Sequence, residues 1–229
     1  MTGFNSNTRP FAICTSRLIL LPSYLAIDLP AYRQLYSSLH RKPEFTTMAF
    51  GSAWGVKDWD EHSIVSIIAR EVQNSWRVRG MGDFAVGVQE SSSVAAQSEE
   101  WNVVQGNEIQ NLDNVHWIGY VGVRDATTTS MRAESTSQPP TRPWQQMIEL
   151  RYGFHPEVWG QGYGTEAAKA VIKWCEKSIG AERFIAETEI ENLGSGKVLR
   201  KLGFGEMEMG KEVIWGMEGT KEWEVWVGR

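Results

Sequence analysis

Apolar positions along this chain fall into alternating runs and runs spaced by three and four, interrupted by two long polar stretches. Ile13 to Leu21 is apolar-rich, ends Leu18-Ile19-Leu20-Leu21 against Pro22, and predicts one strand. Leu29, Tyr32, Leu35, Tyr36 and Leu39 share one helical face, with Asp28 placed as N-cap and Pro30 in the first turn. A second amphipathic helix is predicted from Lys57 to Trp76 by Ile64, Val65, Ile68 and Val72, opened by Asp58 or Asp60. Alternation returns at Gly82 to Gln89 and at His116 to Arg124, each read as a strand. The last third predicts strand (Met147 to Phe154), helix (Gly162 to Ser178), strand (Arg183 to Ile190) and helix (Ser195 to Leu202). Short strands at Phe204 to Met209 and Trp223 to Val227 close the pattern. The strand–helix–strand unit predicts two parallel neighbours joined by a right-handed crossover.

The polar stretches are Glu90 to Asn114 and Asp125 to Arg142. Neither carries an apolar period, so both are expected to be surface loops. No complete core lies on either side, which makes them insertions within a single domain over residues 1–229 rather than linkers.

Composition narrows the partners. A net charge of −5 with mixed signs lacks the basic surplus of a nucleic-acid binder. Cys14 and Cys175 offer no metal-site spacing and at most one bridge, which favours a reducing compartment. His40, His62, His116 and His155 are scattered, so no metal is expected. Residues Met1 to Pro10 are polar and no apolar run is long enough to span a bilayer, so the expectation is a cytoplasmic chain with no membrane partner.

The densest chemical signal is Trp159-Gly160-Gln161-Gly162-Tyr163-Gly164-Thr165-Glu166, between a predicted strand and a predicted helix. Alternating glycines at such a junction let backbone N–H groups close around an anion at the positive end of the helix. A dinucleotide fingerprint fails because Thr165 stands where its third glycine belongs. A triphosphate loop fails because Gly196-Lys197 runs into Val198.

A third reading fits. The turn resembles the acetyl-CoA pyrophosphate loop Q/R-x-x-G-x-G/A of the GNAT superfamily of N-acetyltransferases, with Gly162 and Gly164 on its small positions and Trp159 departing at the first. The form W-G-x-G-Y-A/G-T-E-A is similar to the ribosomal-protein-alanine N-acetyltransferase-like branch. Thr15 to Leu20 resembles that branch's T-x-R-L-x-L strand, and Trp117 to Gly122 its I-G-x-I-G strand. Glu191 to Ser195, with Lys201 to Phe204, is similar to E-N-x-x-S…K-L-G-F. The resemblance implies an α+β GNAT fold: a mixed, twisted, V-shaped sheet of six or seven strands with about four helices.

It also implies a site. Acetyl-CoA is the expected cosubstrate, its pyrophosphate on Gly160 to Thr165 (including Gln161 and Tyr163) and beside Trp159. Its pantetheine would pair with the backbone of Leu150 to Gly153, Tyr152 among them, and with Asn192. Lys201 and Arg200 lie within reach of the terminal phosphates, although a solvated helix face accounts for both equally. The acceptor is a primary amine, on a protein N-terminus or a small molecule. Glu149 matches the branch's strand carboxylate and is the expected base, with Glu189 and Glu191 as runners-up; pairing of Glu149 with Arg151 is its structural alternative. Ser195 is the expected proton donor to the departing thiolate; its alternative is helix capping, as for Asn192. Trp54 and Trp59 border the acceptor side, where core packing competes with a pocket role. A CoA-binding module without catalysis is the competing function.

Overall fold

The computed structural model describes residues 9–89, 101–109, 112–129, 142–208 and 212–228. Its strands are β1 (Phe11–Thr15), β2 (Leu18–Pro22), β3 (Asp83–Val88), β4 (Trp101–Gln105), β5 (His116–Asp125), β6 (Ile148–Phe154), β7 (Arg183–Glu189), β8 (Gly205–Glu206) and β9 (Thr220–Trp226). The helices are α1 (Ser23–Ala26), α2 (Pro30–Arg41), α3 (Pro43–Phe50), α4 (Glu61–Asn74), α5 (Trp76–Arg79), α6 (Ala126–Thr129), α7 (Tyr163–Ile179) and α8 (Leu193–Lys201). None among the described residues is long and apolar enough to cross a membrane.

The strands form one mixed sheet in the order β4-β1-β2-β3-β5-β6-β7-β9-β8. Every neighbouring pair is antiparallel except β6 and β7, the parallel pair expected from the strand–helix–strand unit. On one face, α7 buries Ala167, Val171, Trp174 and Cys175 with Phe84, Ile148, Leu150 and Phe184. On the other, Tyr32 of α2 and Ile64 and Ile68 of α4 pack with Ile19, Leu21 and Ala85. Next to them, Phe45 of α3 packs with Leu39 and Tyr120.

Several expected boundaries shift for identifiable reasons. The run Ile13 to Leu21 is two strands, because Thr15 Oγ1 accepts the N–H groups of Arg17 (3.4 Å) and Leu18 (3.0 Å) and closes a turn that contains no Gly or Pro. Leu29, not Asp28, occupies the N-cap of α2, where Pro30 removes one orphan donor. Asp60 does cap α4, accepting from Ser63 N–H at 2.8 Å. Helix α3, only eight residues long, had no sequence period to announce it. Strand β4 lies inside the stretch expected to be an insertion and pairs with β1 along its whole length. An edge strand needs little apolar alternation, and Trp101 of β4 is covered by Lys177, whose Nζ stands 4.8 Å from the ring centroid. The second polar stretch opens with α6, where Asp125 Oδ1 accepts from Thr127 N–H at 2.9 Å. Residues 90–100, 110–111 and 130–141 of those insertions lie outside the described residues.

A charged group is embedded where β3, β5 and β6 run side by side. Asp83, Gly122 and Arg151 are cross-strand partners in one row, and Arg151 reaches over Gly122 to bind both oxygens of Asp83. A methyl at Gly122 would collide with that carboxylate, which explains the glycine. Glu71 of α4 completes the group, accepting from Asp83 N–H (3.0 Å) and Ser23 Oγ–H (2.7 Å). Burial, followed by the charge of Asp83, pushes its carboxyl up to about 7 from 4.5. The folded state therefore binds a proton that the unfolded state has released, and this stabilisation is complete below pH 4.5 and lost as pH rises through about 7. Relative to Glu71→Gln, the native chain should lose on the order of 2 kcal/mol between pH 5 and 8. Urea unfolding of both proteins across that range measures it; parallel curves would refute the assignment.

Candidate active site: a cavity between parting strands

Strands β6 and β7 pair only at Ile148↔Phe184 and Glu149↔Ile185. Beyond that point they diverge, and among the described residues no strand pairs with the β7-facing backbone of Leu150 to Gly153. A cavity of about 600 Å³ occupies the gap. It is lined by the glycine turn and α8, by Leu150, Tyr152, Gly153 and Ala186, and by α3 with Glu149, Glu187 and Glu189; Val198 of α8 stands over Gly164, while Asn192 at the head of α8 reaches Met48 of α3.

The turn is built for bare backbone. Gly160 (φ +78°) and Gly162 (φ +84°) adopt left-handed conformations that side-chain-bearing residues resist. Gly162 is the N-cap of α7 and supplies no side-chain acceptor, so the first N–H groups of the helix face outward without an intrahelical partner. Gly164 is different. A methyl there would meet Phe154 Cε2 at 3.5 Å and Val198 Cγ2 at 4.0 Å, ordinary contacts, so the protein's own packing does not demand glycine. Trp159 anchors the approach through Nε1–H to the Phe154 carbonyl (2.8 Å).

The β1–β2 turn clamps this junction. Thr15 Oγ1 donates to Glu166 Oε1 (2.6 Å), and Arg17 donates to Glu166 Oε2 (2.7 Å) and to the Gln161 carbonyl (3.1 Å). The Arg17 guanidinium also lies 4.5 Å from the Tyr163 ring centroid. In sequence, Thr15-Ser16-Arg17 is only a recurring motif; its work is to hold the start of α7 from across the sheet.

Most of the expected site residues line the cavity; Gln161, Arg200 and the runner-up Glu191 do not. The Gln161 amide donates instead to the Glu157 carbonyl (3.2 Å). Asn192 accepts from Ser195 N–H (2.9 Å) and donates to the Met48 carbonyl (2.6 Å), capping α8 and tying it to α3. Ser195 therefore lies within the first turn of α8 and is not its N-cap, as the capping alternative would require. The Tyr152 hydroxyl donates to the Ser195 carbonyl (3.3 Å), and burial pushes its phenol up to about 12. Lys201 faces the cavity, whereas Arg200 binds Glu206 (2.8 Å) and lies over Trp223.

Glu149 is paired with a neighbouring arginine, as its structural alternative has it, but the partner is Arg124 and not Arg151, which is committed to Asp83. The two Glu149 oxygens accept from Arg124 Nε and Nη2, each at 2.8 Å, across the Arg124↔Glu149 register of β5 and β6. Lys197 of α8, Glu187 of β7 and Phe45, Met48 and Phe50 of α3 also line the cavity, although no motif singled them out. Alternation along β7 would have pointed to Glu187, since it shares a face with Ile185 and Glu189. Trp59 packs against His40 (4.8 Å between centroids) and Trp54 against Phe50 (5.1 Å); neither lines the cavity. His40 is buried, with Nδ1 2.8 Å from the Tyr36 carbonyl, and burial lowers its pKa. No group of His, Cys, Asp or Glu that could hold a metal occurs among the described residues.

Comparisons with known proteins bear on this arrangement. A family model for an acetyltransferase (GNAT) domain matches residues 17–205. The uncharacterized N-acetyltransferase YnaD of Bacillus subtilis is 30% identical over 80 residues, 35% of this chain and 46% of that protein. The chain thus matches less than half the length of that curated relative. Among solved structures, an acetyltransferase from Agrobacterium tumefaciens superposes with TM-score 0.58 at 19% identity, covering 93% of both chains. The ribosomal L7/L12 alpha-N-protein acetyltransferase RimL, solved with coenzyme A, gives 0.58 at 12% identity over 93% of this chain and 95% of its own. With the family model spanning most of its length and the parted strands and glycine turn in place, this chain belongs to the GNAT acetyltransferase family.

Proposed function

We propose that this protein transfers an acetyl group from acetyl-CoA directly to a primary amine, without a covalent enzyme intermediate. The observation that carries the reading is the lining of the cavity: the outward N–H groups of α7 with Lys197 and Lys201 of α8, and carboxylates on β6 and β7. The first set suits a diphosphate and the second an ammonium. The RimL complex supports coenzyme A as the donor.

In this reading Gly160 to Thr165 bind the pyrophosphate through backbone amides. Lys201, joined by Lys197, answers the remaining phosphate charge. The pantetheine adds to the open edge of β6 at Leu150 to Gly153, as an extended ligand adds to a sheet edge. A β6 amide between Leu150 and Tyr152 stabilises the oxyanion. The Ser195 hydroxyl, on the cavity wall, protonates the leaving thiolate. Asn192 acts by holding the donor and acceptor walls together.

Calorimetry with coenzyme A and acetyl-CoA, followed by thiol release with a panel of amines, tests this. Binding of both ligands and amine-dependent thiol release are expected. Binding without release on any amine would assign the chain to the non-catalytic alternative, and no binding heat would remove the donor site.

A further inference from the structure

Resting on that reading, we propose that Glu187 receives the acceptor's ammonium. We propose further that the wall facing it selects a primary amine on an aromatic or branched apolar body, with no carboxylate beside the nitrogen.

Position is the first argument. The last β6–β7 pair is Glu149↔Ile185. Glu187, two residues on, faces the same side as Ile185 yet stands where the strands have parted, and it lines the cavity. Availability is the second. Both oxygens of Glu149 are taken by Arg124, and Glu222, across from Glu187 on β9, accepts the N–H groups of Ile214, Trp215 and Gly216. Glu187 accepts one bond, from Thr220 Oγ1 at 2.8 Å on Oε1; its Oε2 has no hydrogen-bond partner among the described residues. The groups facing it are Glu189 on its own strand, Glu149 with Arg124, and Glu222; the α3 residues of the wall carry no charge. Burial, then the neighbouring carboxylates Glu149, Glu222 and Glu189, raise its pKa against the Thr220 hydrogen bond.

The wall is the third argument. Phe45 and Phe50 of α3 stand edge to face at 6.0 Å, with Met48 and Tyr120 beside them. The two arginines at this end, Arg124 and Arg151, are each committed to an acid. Beside Glu187 a carboxylate on the acceptor would therefore meet like charge and, among the described residues, arginines already paired, whereas an apolar body finds rings.

The step balances. Glu187 Oε2 takes one proton from the ammonium, and the freed nitrogen pair forms the C–N bond at the thioester carbonyl. The C–S bond breaks onto sulfur, which gains a second proton as the nitrogen gives one up. The products are amide and thiol, with one proton on Glu187 that passes to solvent.

The full chain with acetyl-CoA should be assayed by thiol release on 2-phenylethylamine, a phenylalanine-led peptide, free phenylalanine and spermidine. At least one of the first two should exceed both others about tenfold or more in kcat/KM, and their ratio separates a free amine from a peptide terminus. Glu187→Gln should lower kcat/KM about 100-fold or more and abolish the acidic limb of its pH profile, leaving coenzyme A affinity within about threefold by calorimetry. Glu187→Asp should recover part of the rate together with the limb. A native limb and rate in Glu187→Gln, a limb lost equally in Glu187→Asp, or preference for spermidine or phenylalanine would overturn the proposal while coenzyme A binding kept the donor reading intact.

Discussion

A Gly164→Val chain is expected to fold and to bind coenzyme A about 100-fold more weakly. Packing admits a Cβ here, because the nearest atoms to it are Phe154 Cε2 and Val198 Cγ2 at ordinary contact distance. Helix propensity adds no penalty, since valine outranks glycine in a helix. Only an anion lying against the first turn of α7 requires that surface to be bare. Valine would push it away from the outward N–H groups, and charge-assisted hydrogen bonds are worth about 1.5–3 kcal/mol each, so losing one or two gives the expected factor. Gly164→Ala is the control: it should keep most of the affinity and raise stability by up to about 1 kcal/mol. Gly162→Val should differ in kind, because its φ of +84° carries the strain into the fold itself. Calorimetric titration and thermal melts of the three variants measure the contrast. Native coenzyme A affinity in Gly164→Val would reduce the turn to a helix start.

The second large effect concerns the sheet interior. Arg151→Leu should destabilise the protein by about 3 kcal/mol, a large share of a typical domain's stability. Removing the guanidinium leaves Asp83, which is nearly fully buried, and Glu71 next to it without their cation. Because the Arg151 side chain is 29% exposed, some water reaches the pair, and the low end of the range for a broken buried ion pair applies. The double variant Asp83→Asn with Arg151→Leu should recover part of the loss, since no unpaired charge then remains at Asp83. Urea denaturation of the two singles and the double closes the cycle. Strict additivity would mean the row contributes nothing as a pair.

Much of this molecule could be read from its residues. The long periodic helices, the parallel strand unit and the glycine turn carry local signals, and all three appear close to where the pattern put them. What escaped was tertiary in origin. Helix α3 is too short to show a period, β4 is ordered by pairing with β1, and the β1–β2 turn is closed by one threonine hydroxyl. At the site, local sequence nominated Glu149 but could not reveal that Arg124, on the neighbouring strand, occupies both its oxygens. Glu187 stood out only once the point where β6 and β7 part was known. Gln161 illustrates the converse: its backbone belongs to the turn, yet its side chain is drawn back to Glu157.

Asn192 grips the start of α8 with one end of its amide and α3 with the other, so two walls of the chamber share one side chain. If occupancy on the nucleotide side tightens grip on the nitrogen donor by some factor, thermodynamic reciprocity obliges the nitrogen donor to tighten the nucleotide side by that same factor. Severing this one amide bridge would then show up in the shape of initial-velocity patterns as well as in their scale.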